Sequence, residues 1–371
     1  MVKKESKKET VNNLSPEERL ELIKQVADGG EIIGEEELLE MLKSGKQIVA
    51  YDGFEPSGIA HVPFGLLRAE NLKLMQKAGV HFKLWLADYF AFINNKLGGD
   101  MNRIRKAGEY FIEVWKACGV DTSKVEIIWA SERMNSLKYW DRVLTIAKET
   151  TLNRTMRATT IMGRKEGELQ TTAQLFYPAM QVSDIFELDV DICQLGLDQR
   201  RANILGRELA DKMKWKKPTI VSHHMIMGLQ GVQPGADKEE IMMTSKMSKS
   251  KPESCIYMHD TEDEIKKKMN KAYCPEKVIE GNPLFDYLKY LIFKRYDKIT
   301  ISRPDKFGGN LTVSYDEIID LYAKGAVHPM DLKNTVIFYM NEMIKPVREY
   351  FEKNKNAKAL YDEVKKYAIT R

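Results

Sequence analysis

Apolar residues along this chain fall into short β-rich runs at 47–54, 81–88, 125–131, 190–197 and 218–225. Between the runs, 62–78, 101–118, 138–150 and 198–213 repeat their apolar positions every three or four residues, the signature of a helix with one buried face. Strand and helix in alternation predict an α/β fold with a Rossmann-like parallel sheet and helices on both faces. Ligands of such sheets sit beyond the carboxyl ends of the strands, and Tyr51 to Ser57, Asp88 and Asp198-Gln199 fall there. The stretch 110–175 is longer than one crossover needs and is expected to be a helical insertion, with Phe111, Ile112, Val114 and Trp115 as a candidate dimer contact or as simple core.

From about 262 the pattern is helical, broken by the polar, turn-rich 301–311. A first domain is therefore expected over 46–261 and a second, mostly α-helical one over 262–371. Ahead of them, 14–45 reads as an acidic helical segment opened by Ser15-Pro16-Glu17-Glu18. Residues 1–13 lack apolar content and are expected to be a disordered basic tail. No internal repeat is present.

Composition changes this picture little. Hydrophobic content of 43% and charged content of 30% over 371 residues describe an ordinary globular protein. No apolar run approaches a membrane span and no signal-peptide pattern opens the chain. Cys118, Cys193, Cys255 and Cys274 are too scattered for a zinc motif or a disulfide framework, so a cytoplasmic location is expected. The net charge of +4 is unevenly spread: 1–10 carry +2, 14–45 carry −6, and 46–371 carry +8. A moderately basic body suits a polyanionic partner without naming one.

Four constellations carry candidate chemistry. Tyr51-Asp52-Gly53-Phe54-Glu55-Pro56-Ser57-Gly58 with His61 and Pro63 joins a strand to a helix N-terminus, a natural phosphate site, although an ordinary Gly/Pro turn reads the same way. In Tyr177-Pro178-Ala179-Met180-Gln181-Val182-Ser183-Asp184, Pro178 marks a helix start. Spacings of four and three set Tyr177, Gln181 and Asp184 on one face, either solvated or lining a pocket. Gly196-Leu197-Asp198-Gln199-Arg200-Arg201 ends a strand, where Asp198 could accept ribose hydroxyls or simply complement a helix dipole. Lys246-Met247-Ser248-Lys249-Ser250 interleaves ammonium groups with small hydroxyls, which suits a polyphosphate as charge builds on it and equally suits a solvated loop.

Taken in order, these segments resemble the class I tyrosyl-tRNA synthetases of the archaeal and eukaryotic branch. Phe54–Gly58 with His61 resembles the family's first ATP motif, and Lys246–Ser250 matches its second. Tyr177–Asp184 looks like its tyrosine-reading helix and Gly196–Arg200 like the pocket segment that follows. Ala272–Pro275, Arg303–Gly309 and His328–Asn334 resemble later family segments, so the likeness runs over about 45–350. One position departs: Pro63 and Phe64 stand where many class I enzymes carry Gly-His, which leaves the adenine contact open.

The resemblance implies an enzyme that joins L-tyrosine to ATP, then passes the tyrosyl group to tRNA(Tyr). By residue match it implies His61, Lys246 and Lys249 at the phosphates. ATP contacts fall to Gly53, Glu55, Pro63, Asp198, Lys246, Met247, Ser248, Lys249 and Ser250, with Mg²⁺ arriving alongside. Tyr51 and Asp184 are implied to hold the substrate phenol, and Tyr177, Gln181 and Gln199 its amino group. Arg200 and Arg201 are implied at the acceptor stem. Phe307, His328 and Asp331 are implied at the first anticodon base, the base sandwiched by Phe307 and His328. A homodimer, no protein-held metal and no editing domain complete the expectation. The rivals are a tryptophanyl enzyme of the same fold, from which Tyr51 with Asp184 would separate it, and a non-catalytic RNA-binding relative.

Overall fold

A computed structural model describes residues 14–163, 168–169, 171–232 and 252–367. They pack as two compact units: a sheet unit of 14–58, 71–225 and 359–367, and a helical unit of 59–70 and the described part of 226–358.

The sheet unit holds six strands: β1 (Glu31–Ile33), β2 (Val49–Phe54), β3 (His81–Leu86), β4 (Val125–Trp129), β5 (Ile192–Gly196) and β6 (Thr219–His223), in the order β1-β6-β5-β2-β3-β4. All neighbours are parallel except β1, which runs antiparallel to β6. From β2 the chain builds outward through β3 and β4, then crosses back to β5 and β6, so the order reverses between β2 and β5. That reversal opens a crevice beyond the carboxyl ends of those two strands. The five apolar runs became β2 to β6 within a few residues, because parallel strands buried on both faces read as continuous apolar segments.

The helices of this unit are α1 (Pro16–Val26), α2 (Glu35–Lys43), α3 (Arg68–Lys77, its last seven residues), α4 (Asp88–Ile93), α5 (Met101–Ala117), α6 (Ala130–Arg133), α7 (Leu137–Glu149), α8 (Leu152–Ala158), α9 (Ala173–Glu187) and α10 (Arg200–Met213). Ser15 and Glu18 cap α1 reciprocally, as the opening Ser-Pro-Glu-Glu implied. The acidic 14–45 segment is not wholly helical, since β1 lies within it. Three residues are too short to show a period, and Gly30 lets the strand in: a Cβ there would come 1.9 Å from the Ser222 carbonyl oxygen.

Two further expectations shift. β4 falls inside 110–175 and pairs with β3, so α5 is a sheet crossover and the extra helical material lies after Trp129. Phe111, Val114 and Trp115 are 1%, 0% and 1% exposed, and Phe54 meets Trp115 edge-on at 4.7 Å; they are core, not a surface for a second chain. Pro178 does not open its helix. It sits inside α9 as its sixth residue, where proline forgoes one helical hydrogen bond.

Asp191 locks the amino ends of the central strands. Its buried carboxylate accepts from Val49 N (2.9 Å), Lys46 Nζ (2.9 Å) and Lys216 Nζ (3.0 Å). The C-terminal residues return to this unit, with Tyr361 against Tyr110 and the Arg103 guanidinium over Tyr367.

In the helical unit the chain enters through a π-helical turn, Pro63–Leu67. A short antiparallel pair, β7 (Ile299–Ile301) with β8 (Leu311–Val313), brackets the polar 301–311 stretch. The 25-residue helix Pro329–Lys353 buries Leu332, Val336, Met340 and Ile344 along one side. No helix among the described residues is long and apolar enough to cross a membrane. The tail 1–13 lies outside the described residues.

Candidate active site

The crevice between β2 and β5 is floored by α9. Tyr177, Gln181 and Asp184 do share a face, and that face is buried: they are 6%, 8% and 1% exposed. Everything from Tyr177 to Ile185 is inside, so α9 reads as a core helix carrying three polar side chains, each of which needs a partner.

At one end, Asp184 Oδ1 accepts from Tyr139 Oη at 2.7 Å; the same hydroxyl reaches the Met180 carbonyl at 3.1 Å. Burial pushes the Asp184 carboxyl well above the usual carboxylate range, with Tyr139 and the Trp85 indole holding it partly down. Tyr51 on β2 is 1% exposed and its hydroxyl has no hydrogen-bond partner among the described residues. Burial, then the fields of Cys193, Asp184 and Asp52, raise its pKa far above normal, so it is a neutral donor. A buried hydroxyl left unpaired near a carboxylate is costly unless a ligand completes it.

At the other end the polar groups satisfy one another. Tyr177 Oη donates to Glu55 Oε1 at 2.7 Å, and Asn94 Nδ2 donates to Glu55 Oε1 and Oε2 at 3.1 and 3.2 Å and to the Met162 carbonyl at 3.2 Å. Gln181 Nε2 donates to Gln199 Oε1 at 3.1 Å, and Gln199 Nε2 to the Ile161 carbonyl at 3.0 Å. Lys96 Nζ stands 3.7 Å from Glu55 Oε2. Asp198 and Gln199 close β5 in a 3₁₀ turn, and Gly196 makes the turn possible: a Cβ there would lie 2.6 Å from both Asp198 Oδ1 and Met225 Sδ. The result is a buried polar slot: at one end the Tyr51 hydroxyl is unpaired among the described residues near Asp184, and at the other Glu55, Tyr177, Gln181 and Gln199 are paired.

The family model described as tRNA synthetases class I (W and Y) matches residues 43–345. The chain belongs to that family. It is 45% identical over 359 residues to a cytoplasmic tyrosine–tRNA ligase of Arabidopsis thaliana, covering 96% of this chain and 90% of the relative. It is 42% identical to the tyrosine–tRNA ligase of Thermococcus kodakarensis, covering 94% and 98%. Among solved structures, the tyrosyl-tRNA synthetase of Pyrococcus horikoshii complexed with L-tyrosine superposes with a TM-score of 0.87 at 37% identity, covering 94% of this chain and all of that one.

As a member of this class I family, the chain carries its remaining expected positions as follows. Gly53 lies on β2 in register with Trp85. Arg200 Nε donates to Glu31 Oε1 at 2.6 Å; Arg201 donates to the Arg157 carbonyl at 2.8 Å and to Thr160 Oγ1 at 3.1 Å, and both arginines are exposed. Glu55, expected at ATP, accepts from Tyr177 Oη and Asn94 Nδ2. His61 and Pro63 belong to the helical unit. There Val62 N donates to the Ile256 carbonyl, Met258 N to the Ala60 carbonyl, and His61 Nδ1 accepts from Phe64 N at 3.2 Å. Phe307 ends the turn Asp305–Phe307. His328 caps the helix Pro329–Lys353, its Nδ1 accepting from Met330 N at 3.1 Å, which leaves the half-buried Asp331 in the first turn free of capping duty. Lys246, Met247, Ser248, Lys249 and Ser250 lie outside the described residues. Among the described residues, no group of three or more His, Cys, Asp or Glu side chains is placed to hold a metal ion.

Three residues of the slot escaped the sequence reading: Tyr139, Trp85 and Asn94. Each sits in an apolar or helical pattern that core packing explains. The available signal was a polar tip on an apolar face: Tyr139 shares the buried face of α7 with Val143 and Ile146.

Proposed function

We propose that this chain activates L-tyrosine with ATP and transfers it to tRNA(Tyr). The observation that carries the reading is the buried, unpartnered hydroxyl of Tyr51 beside the buried Asp184 carboxyl. A substrate phenol meets both needs, donating its O–H to Asp184 and accepting from Tyr51. Phenylalanine would leave both groups buried and unpaired. Sites built to read a hydroxyl reject the analogue lacking it by about 10⁴–10⁵-fold, and tyrosine enzymes are the standing example of that asymmetry. An indole offers its N–H from a different ring position, which disfavours tryptophan.

In the first step the tyrosine carboxylate oxygen bonds to the α-phosphorus and the bond to the β,γ-pyrophosphate breaks, giving tyrosyl-adenylate. A terminal ribose hydroxyl of tRNA then attacks the acyl carbon and AMP leaves. The substrate itself supplies the nucleophile, so the protein contributes position and charge. Tyr177 Oη, Gln181 Oε1 and Gln199 Oε1 offer lone pairs to the ammonium group, that of Gln199 being released by Gln181 Nε2, and Glu55, which accepts from Tyr177, adds its charge at that end. The resemblance assigns Gly53, Pro63 and Asp198 to the nucleotide and His61 to its phosphates. Lys246 and Lys249, with Met247, Ser248 and Ser250, follow the departing pyrophosphate. Mg²⁺ enters on the ATP phosphates as part of the substrate.

For tRNA, 46–261 is the activating domain and 262–371 the anticodon-reading one. Arg200 and Arg201 exchange their present partners for the acceptor end, while Phe307, His328 and Asp331 take the first anticodon base by stacking and edge hydrogen bonds. The site of action is the cytoplasm.

The chain acts as a homodimer through a face other than the α5 one first expected. Leu137, Trp140 and Leu144 recur at helical spacing on α7 and are 83%, 38% and 58% exposed; Leu152 and Phe176, which line one hollow with Ile146 and Ala147 of α7, are 67% and 38% exposed. An apolar patch of this kind marks an interface. Leu144→Glu converts the dimer to a monomer in sedimentation equilibrium; a wild-type chain that sediments as a monomer removes the proposal.

The deciding experiment is ATP–pyrophosphate exchange with tyrosine, tryptophan and phenylalanine. Tyrosine alone supports exchange at micromolar to millimolar concentrations. Equal or better exchange with tryptophan, or no exchange alongside intact tRNA binding, removes the reading.

A further inference from the structure

Between β7 and β8 the chain makes a long excursion whose one regular piece is the turn Asp305–Phe307. Ordering such a loop costs backbone entropy, so what holds it is informative. Within it, Gly308 N donates to the Asp305 carbonyl at 2.9 Å. Gly308 and Gly309 turn the chain with φ of +94° and +70°, left-handed values that glycine takes without strain. One side chain, Arg303, then ties the loop to the rest of the helical unit. Its Nε donates to the Gly309 carbonyl at 3.0 Å and its Nη1 to the Ala326 carbonyl at 2.7 Å. Its backbone N–H donates to Asn310 Oδ1 at 3.2 Å. A Cβ on Gly308 would come 3.1 Å from Nη2, so the guanidinium lies against the bare backbone of the turn.

The far end of this span is itself held. Ala326 N donates to the Leu321 carbonyl at 2.8 Å, in the helix Tyr315–Ala323. Val327, next along, is 2% exposed and anchors the chain in the core. His328 follows and caps the helix Pro329–Lys353, its carbonyl accepting from Asp331 N at 3.0 Å and Leu332 N at 3.1 Å. One planar guanidinium therefore joins the turn that ends in Phe307 to the segment that delivers His328 and Asp331. These are the residues assigned above to the first anticodon base, and they come from two stretches of sequence that share no strand or helix.

We propose that Arg303 is a positioning residue for anticodon recognition: by bonding the Gly309 and Ala326 carbonyls at once, it sets the separation between the Phe307 turn and His328 into which the base stacks. This deepens the anticodon reading given above and rests on it. A stacked base is held only when the groups on its two faces stand at contact distance, and a gap of about 1 Å forfeits up to half of the dispersion contact. The spacing of the two stretches is therefore part of the recognition. Arginine suits the task, since its rigid fork reaches two acceptors in one plane, whereas a lysine ammonium is a point charge on a flexible stem. The rival role is a direct contact between Arg303 and a tRNA phosphate, which would add affinity without reading sequence.

Arg303→Gln and Arg303→Lys are compared with the wild type in aminoacylation of a set of tRNA(Tyr) transcripts that differ only in the first anticodon base. Tyrosine-dependent ATP–pyrophosphate exchange and thermal melts accompany them. Tyrosine codons end in a pyrimidine, so guanine is the cognate base. In Arg303→Gln, kcat/KM for the guanine transcript falls by about tenfold or more, chiefly through KM, while the transcripts with other bases change by less than about threefold. The preference for guanine therefore collapses, and exchange keeps its wild-type rate. Arg303→Lys keeps the charge but not the double span; it shows the same base-dependent loss and serves if Arg303→Gln does not fold. An equal loss for every transcript, restored by lysine and accompanied by a shallower salt dependence, is what a phosphate contact gives, and it overturns the proposal. So does a wild-type preference for guanine in either folded variant. Failure of the anticodon reading itself appears separately, as a wild-type enzyme that charges all the transcripts alike.

Discussion

The two ends of the slot on α9 are built from similar residues and are in opposite states. At the Tyr177 end, a tyrosine, two glutamines, an asparagine and a glutamate close their hydrogen bonds on one another and on the carbonyls of Ile161 and Met162. At the Asp184 end, the Tyr51 hydroxyl and the Trp85 indole N–H lie buried without a completed bond. A closed network holds a shape and gives up its partners only for a charged guest. An open one has a preference already fixed, because whatever enters must complete it. The amino-acid side chain is therefore selected at Asp184, while the ammonium end, common to all amino acids, contributes affinity and register.

Breaking the open end has the largest effect. Asp184→Ala lowers tyrosine-dependent exchange by about 10³-fold or more, and the preference for tyrosine over phenylalanine falls by a similar factor. The KM for ATP changes little, since the nucleotide does not meet this carboxyl. Exchange measured with both amino acids separates the outcomes: retained discrimination in Asp184→Ala would mean that the phenol is read elsewhere.

Breaking the closed end costs less and spreads differently. Tyr177→Phe strands Glu55 with Asn94 and the more distant Lys96, so tyrosine KM rises by about ten- to thirtyfold and the fold loses roughly 1–2 kcal/mol. The preference over phenylalanine stays within about threefold, because both amino acids bring the same ammonium group. Steady-state kinetics with the two substrates and a urea melt check all three statements. A large loss of discrimination here would erase the distinction between the ends.

Each end was legible in part from sequence. Tyr51 lies in the middle of β2, and Asp184 shares a face with Tyr177 and Gln181; the spacing left that face open, and the resemblance tied Tyr51 and Asp184 to a phenol. The partners at both ends were hidden. Asn94 meets Glu55 39 residues away and Tyr139 meets Asp184 45 residues away, and neither spacing has a local signature. Trp85 looked like any apolar strand residue. The fold followed the same rule: β2 to β6 are long enough to show their apolar runs, whereas three-residue β1 is defined by its partner β6. Pro178 pointed to a helix start because proline favours first turns, yet the pull of nine consecutive buried positions in α9 outweighed one lost hydrogen bond.

The smallest effect tests the electrostatic side of the comparison, with Asp191 as the carboxylate whose partners are complete. Burial alone would raise its pKa, but the bonds from Lys46, Val49 N and Lys216 outweigh it and hold the pKa below the usual range. A lowered folded-state pKa means stability that is present above the unfolded value and is lost as pH falls through the folded one. Asp184 has the opposite sign: with its folded pKa raised, its contribution is whole below the unfolded pKa and drains away as pH rises. Asp191→Asn is therefore less stable than wild type at pH 7, by about 1–3 kcal/mol, and the gap narrows as pH falls below the ordinary carboxylate range. Asp184→Asn without substrate matches or exceeds wild type at pH 7, and its advantage shrinks toward pH 4. Thermal melts of the three proteins from pH 4 to 8 give curves that diverge in opposite directions. Parallel curves would mean that Asp184 is as well supplied with donors as Asp191, and that the open end of the slot is not open.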